Sequence, residues 1–88
     1  MTETVLVTGS SRGIGEAIAL RLAKAGYHIV LHCRSRIEEA ERVKTAVEAF
    51  GSAARILQFD VANREQAREV LEQDIAEHGA YYGVVCNA

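Results

Sequence analysis

The segment VLVTGSSRGIGEAIALRLA, residues 5–23, places Gly9, Gly13 and Gly15 within seven positions, between a β-branched apolar run and apolar residues at helical spacing. Inside a regular element each glycine costs roughly 0.5–1 kcal/mol relative to alanine. Three at one strand-to-helix turn mark backbone that must bend sharply or lie close to something else. That turn also fixes the local architecture, because a strand feeding directly into a helix is the first half of a parallel crossover.

The rest of the chain repeats the alternation. Residues 4–8 read as a short buried strand, and Ile14, Ala17, Ile18, Leu22 and Ala25 form one face of a helix stopped at Gly26. YHIVLHC, residues 27–33, is a second strand. Ser35 with Glu38 has capping-box spacing, and the helix behind it carries Ile37, Ala40, Val43, Val47 and Phe50 on one side before Gly51. ARILQF, residues 54–59, is a third strand. Asn63 is placed to cap a third helix with Gln66 reciprocating, and Ala67, Val70, Leu71 and Ile75 make its stripe up to Gly79. YYGVVC, residues 81–86, is a fourth strand.

The order β-α-β-α-β-α-β with uniformly apolar strands implies an α/β fold, a Rossmann-like three-layer sandwich around a parallel sheet. Right-handed crossovers give strand order 3-2-1-4, truncated after strand four. With 88 residues and no linker or repeat, residues 1–88 are expected to belong to a single Rossmann-like domain. A net charge of -2 gives no reason to expect nucleic acid or an anionic membrane. No apolar stretch approaches the length of a membrane span, and Cys33 and Cys86 form no CxxC pair, which fits a reduced, cytoplasmic setting.

The carboxyl edge of such a sheet is where ligands bind. There, Gly9 permits the tight turn, Gly13 lets a phosphate approach the main chain, and Gly15 lets the helix lie close to the strand. The first-turn N–H groups around Ile14 lack intrahelical partners and carry the positive end of the helix dipole, so a pyrophosphate satisfies both. A merely tight turn is the plainer alternative.

Thr8-Gly9-Ser10-Ser11-Arg12-Gly13-Ile14-Gly15 resembles the signature of the short-chain dehydrogenases/reductases. Asp60-Val61 after the third strand looks like that family's adenine-contacting pair, and Asn87-Ala88 like the start of its Asn-Asn-Ala-Gly segment, with Cys86 in place of the first asparagine. The resemblance covers the whole chain. It implies a cofactor site including Gly9, Ser11, Arg12, Gly13, Ile14, Gly15, Arg34, Ser35, Asp60, Val61, Asn87 and Ala88. The plainer alternative for Asp60 is an Asx-turn or capping residue.

In NAD-dependent relatives an acidic residue at the end of strand two holds the ribose diol. Here that position is Cys33, followed by Arg34, Ser35 and Arg36, with Arg12 in the glycine turn. Guanidinium groups bind a ribose 2′-phosphate through charge-assisted bonds, which points to NADP(H); the plain alternative is arginines on a solvated helix start. His28 and His32, two apart on one strand, lack a third ligand at suitable spacing, so no metal site is expected. His78 reads as a helix C-terminal cation, and Cys33 and Cys86 as buried small apolar groups.

The family's carbonyl reduction uses a Ser, a Tyr and a Lys that fall after the fourth strand, so no catalytic residue is expected here and the segment alone should be inactive. Tyr81 and Tyr82 have no lysine at helical spacing and match no catalytic tyrosine. Within the family the segment is most like the bacterial 3-oxoacyl-(acyl-carrier-protein) reductases of fatty acid biosynthesis. That implies NADPH, a carbonyl substrate linked to acyl carrier protein, and a homo-oligomer, tetrameric when complete. Sugar or polyol dehydrogenases, a non-catalytic dinucleotide-binding regulator and an S-adenosylmethionine methyltransferase are the competing readings; Cys33-Arg34 argues against the last.

With Val84-Val85-Cys86 as an exposed apolar edge, the 88-residue chain alone should self-associate or be poorly stable. Sedimentation and urea unfolding at micromolar concentration check this; a monomer with one cooperative transition contradicts it.

Overall fold

The structure is a computed structural model that describes residues 3–87. Its elements are β1 (Thr4–Val7), α1 (Gly13–Lys24), β2 (His28–Cys33), α2 (Ile37–Ala49), β3 (Ala54–Gln58), α3 (Arg64–His78) and β4 (Gly83–Val85). All strand pairs are parallel, in the order β3-β2-β1-β4. This is the expected Rossmann-like arrangement.

Register separates the two faces of the sheet. Val5, Val7, Ile29 and Leu31 point toward α1 and α2 and build the core with Ala19, Ala23, Val43 and Val47. The alternate row runs Val84, Leu6, Val30, Arg55 across the four strands. Arg55 reaches α3, which therefore covers that face.

The buried stripe of α1 differs from the expected one. Gly15, Ala19 and Ala23 are buried, whereas Ile14 is 73% exposed and Ala17 and Ala25 face solvent. Four-residue spacing of small side chains lets α1 press against the sheet, and Ile18 and Leu22 pack at its flanks. Ile14 is thereby left at the carboxyl edge, over the glycine turn.

Ser35 does not cap α2. The N-cap is Arg36, with no side-chain capping bond, and its guanidinium sits 3.6 Å from Glu39. Helix entry one residue later puts the Ser35 hydroxyl out of capping register. Phe50 falls at the C-cap, outside the helix whose buried stripe is Ala40, Val43 and Val47, and is half exposed. Asn63 does cap α3, accepting from Gln66 N–H at 3.1 Å. Gln66 Oε1, however, accepts from Asp60 N–H at 2.9 Å rather than from the Asn63 N–H, tying the turn after β3 to the helix.

Residues of the α3 stripe are only partly covered: Ala67, Val70 and Leu71 are half-buried and Ile75 is 39% exposed. Among the described residues α3 is the one helix on this face, so its flanks stay open to water. The buried residue of α3 is instead Asp74. Its carboxylate accepts two bonds from Arg55, at 2.8 and 2.7 Å, and one from the Tyr81 hydroxyl at 2.8 Å. Burial pushes the Asp74 carboxyl up, but these bonds outweigh it and hold it below its ordinary value. Burial and the same carboxylate push the Tyr81 phenol up. The cluster ties β3, α3 and the approach to β4 together.

A carboxyl lowered by folding contributes stability that is complete above its unfolded value, near 3.9, and is lost as pH falls through the folded value. Asp74→Asn should lower the unfolding free energy by about 1–3 kcal/mol at neutral pH, since it leaves the part-exposed Arg55 without its counter-charge. It should also flatten the loss of stability below about pH 4. Urea midpoints across pH check both; an unchanged acid limb contradicts the assignment.

Candidate functional site

At the carboxyl edge of the sheet four connecting segments meet. Gly9 has φ +63°, and Gly13, the first residue of α1, has φ +63° with open space where a Cβ would stand. Gly15 is different. A Cβ there would overlap the Gly9 carbonyl oxygen and lie 2.8 Å from the Gly9 carbonyl carbon and 2.7 Å from Asn87 Nδ2. The helix start and the turn before it touch backbone to backbone.

Arg12, the N-cap of α1, is extended and its side chain caps nothing. The first-turn N–H groups, including those of Gly13 and Ile14, are left pointing at the exposed edge with the dipole's positive end. Glu16, the acidic residue of that turn, is held away by two 3.1 Å bonds from Arg42 of α2. The site's positive field is thus left uncancelled by its own helix.

Beside this turn lies a pocket of about 220 Å³ lined by Ser11, Arg12, Arg34, Ser35 and Arg36. Residues from the β1–α1 and β2–α2 connections, more than twenty positions apart in sequence, share one small concavity. Arg34 Nε is 3.6 Å from Asp60 Oδ2, with the two side chains 76% and 35% exposed. An exposed pair of this kind contributes ~0–1 kcal/mol and exchanges readily for another anion. Asp60 Oδ1 accepts from Ala62 N–H at 2.9 Å, so the carboxylate also makes the Asx turn that was one of its two expected roles. Val61, next to it, is 45% exposed.

From the β4 side, Asn87 N–H donates to Thr8 Oγ1 at 2.9 Å and Asn87 Nδ2 donates to the Gly9 carbonyl at 3.3 Å. Ala88 lies outside the described residues. Burial, with Glu38 nearby, pushes the Cys33 thiol up, in keeping with an inert buried group. Cys86 departs from expectation: it is exposed, because β4 ends at Val85 and nothing among the described residues covers the position beyond.

His32, considered only as half of a metal pair, is buried in the site's floor. Its Nδ1 lies 2.9 Å from Gly9 N and its Nε2 2.8 Å from the Phe59 carbonyl oxygen. Both ring nitrogens are thereby engaged by the protein. Ser10 joins it, accepting from the His32 backbone N–H at 2.8 Å. The sequence signal for this pair was a polar residue at an inward position of an otherwise aliphatic strand.

The short chain dehydrogenase family model matches residues 3–88. The chain belongs to that family. It is 66% identical over 88 residues to a 3-oxoacyl-(acyl-carrier-protein) reductase of Aggregatibacter actinomycetemcomitans, covering all of this chain and 36% of that relative. A reductase of the same name from Staphylococcus aureus strain Mu50 is 35% identical over the same span, again 36% of its length. Among solved structures, acetoin dehydrogenase from Enterobacter cloacae superposes with TM-score 0.92 and 34% identity, over 100% of this chain and 35% of that one. An alcohol dehydrogenase from Thermococcus sibiricus, complexed with 5-hydroxy-NADP, gives TM-score 0.86 and 30% identity, over 96% and 35%.

The Gly15 contact predicts a specific ranking. Gly15→Ala should destabilise by about 1–3 kcal/mol because backbone must move. Gly13→Ala, which meets only a left-handed φ in open space, should cost roughly 1–2 kcal/mol while leaving the turn in place. Urea midpoints together with the hydrogen exchange of the Gly9 amide check this; an unchanged Gly9 amide in Gly15→Ala contradicts it.

Proposed function

We propose that residues 1–88 are the N-terminal part of a single NADP-binding domain, in a cytoplasmic homo-oligomeric oxidoreductase that reduces a 3-oxoacyl thioester on acyl carrier protein. The observation that carries this reading is the pocket shared by Arg12, Arg34, Arg36, Ser11 and Ser35, next to the bare N-terminus of α1. The residues fit the cofactor. Open space at Gly13 admits a phosphate to the main chain, and the first-turn N–H groups of α1 meet the pyrophosphate. Arg12 and Arg34, with the hydroxyls of Ser11 and Ser35, grip a ribose 2′-phosphate. Cys33, where a carboxylate would repel that phosphate, is uncharged and buried.

In this reading Asp60 and Val61 receive the adenine, and Asn87 with Ala88 continues the wall that begins at Gly9. The bound dinucleotide supplies the hydride. The segment's part is binding and orientation, because proton transfer belongs to Ser, Tyr and Lys residues that the family resemblance puts beyond it.

The substrate assignment rests on the 66% identity to a 3-oxoacyl-(acyl-carrier-protein) reductase, against 34% for the acetoin dehydrogenase of nearly the same shape. A dinucleotide-binding regulator is the alternative within the same fold; it predicts NADPH binding without turnover of a 3-oxoacyl thioester.

In the complete protein, NADPH should bind at least about tenfold tighter than NADH, the scale of one or two charge-assisted bonds. Cys33→Asp combined with Arg34→Ala should move the ratio of kcat/KM for the two cofactors toward NADH by about tenfold or more. An unchanged ratio overturns the NADP assignment.

A further inference from the structure

We propose that His32 is a positioning residue that sets the β1–α1 turn against the β3–α3 turn, and so fixes the spacing of the two loops between which the dinucleotide is held. The inference rests on the dinucleotide reading above and adds to it a residue that touches no part of the cofactor.

The geometry is unusually restrictive for one side chain. The backbone N–H of Gly9 can only donate, so His32 Nδ1 must be the unprotonated nitrogen. The ring proton then sits on Nε2 and donates to the Phe59 carbonyl. One tautomer alone makes both bonds. The ring is 2% exposed and packs against the Phe59 ring at a centroid distance of 4.3 Å, so water cannot substitute for either partner.

The two bonds end on the residues that lead into the proposed ligand contacts. Gly9 opens the glycine turn, and Phe59 immediately precedes Asp60 and Val61. β2 lies between β1 and β3, and His32 stands one residue beyond Leu31, the partner of Val7 at the end of β1. The side chain therefore occupies the step where β2 outruns β1, with a loop to either side. An aliphatic residue there would fill space but remove the partner of the part-buried Gly9 N–H and of the buried Phe59 carbonyl.

The test uses the complete protein and three variants. His32→Asn places a carbonyl oxygen near the Nδ1 position and keeps an acceptor for Gly9. His32→Gln carries its amide out to the Nε2 position and keeps a donor for Phe59. His32→Leu keeps bulk and neither bond. Expected Kd values for NADPH rise by about tenfold in His32→Leu, and by about threefold or less in His32→Asn, while kcat at saturating NADPH stays within about twofold in both. Should His32→Leu fail to fold, weaker NADPH binding by both His32→Asn and His32→Gln than by the unaltered protein supports the proposal, and unaltered binding by both overturns it.

Equal Kd for all folded variants, or loss of kcat without loss of NADPH affinity, overturns the proposal. The 15N spectrum of the imidazole gives an independent reading. A proton on Nε2 is required, and a proton on Nδ1 overturns the positioning geometry whatever the enzyme binds. Failure of the unaltered protein to bind NADPH or NADH would instead defeat the dinucleotide reading itself.

Discussion

The tightest constraint in the fold is the backbone contact between the start of α1 and the turn that precedes it. With no Cβ at position 15, the helix lies against the Gly9 carbonyl, and Asn87 closes the same point from the β4 side. Everything along α1 follows from that approach. Ala19 and Ala23 continue the small-residue stripe because the helix axis is too near the sheet for anything larger, and the bulky Ile18 and Leu22 are displaced to the flanks. The same closeness aims the free N–H groups of the first turn at the sheet edge rather than at another helix.

The edge itself is stepped. β1 ends at Val7, whose partner is Leu31, while β2 and β3 run on to the pairing of Cys33 with Gln58. The glycine turn folds over this step and bonds to what protrudes: Ser10 N–H donates to the His32 carbonyl at 3.1 Å, and Gly9 N–H to the imidazole. Strand length and loop position are therefore one problem. A shorter β2 would leave the turn without partners for its buried N–H groups, at roughly 1–3 kcal/mol each.

Most of the fold was readable in the sequence because its signals are local. Period changes, glycine stops and strand composition gave the seven elements, and the handedness of parallel crossovers gave their order. The errors share a physical origin: they concern what stands opposite a residue. Ile14 has helical spacing but lies beyond the sheet edge, and Cys86 follows an apolar strand but has no cover among the described residues. Ser35 has capping-box spacing in a helix that starts one residue later. Asp74 and His32 are polar residues buried with partners outside their own elements, Arg55 and Tyr81 for the first and Gly9 and Phe59 for the second, and no local pattern names those partners. For the candidate site, the residue types around the glycine turn were readable, while the convergence of Arg12 with Arg34 and Arg36 depends on two loops meeting in space.

That convergence also explains how a chain with net charge -2 maintains a cationic concavity. Three guanidinium groups line one small pocket, and two of them lean on carboxylates: Arg34 on Asp60, Arg36 on Glu39, each at 3.6 Å. Both arginine side chains are largely exposed, at 76% and 65%, though Asp60 and Glu39 are only about one-third exposed, so each long 3.6 Å pair contributes little and constrains the arginine little. Repulsion among the arginines is thereby softened without any of them being buried or fixed. A phosphate dianion entering the pocket offers shorter, charge-assisted bonds than either carboxylate does at these distances. Arg12, whose side chain caps no helix N–H, requires no rearrangement of a backbone bond to meet it. In the proposed reading such an exchange needs only the rotation of surface side chains over a turn already tied by the Gly9–His32 bond and the Gly15 approach, so the ordering cost of binding would fall on a few rotamers rather than on the backbone.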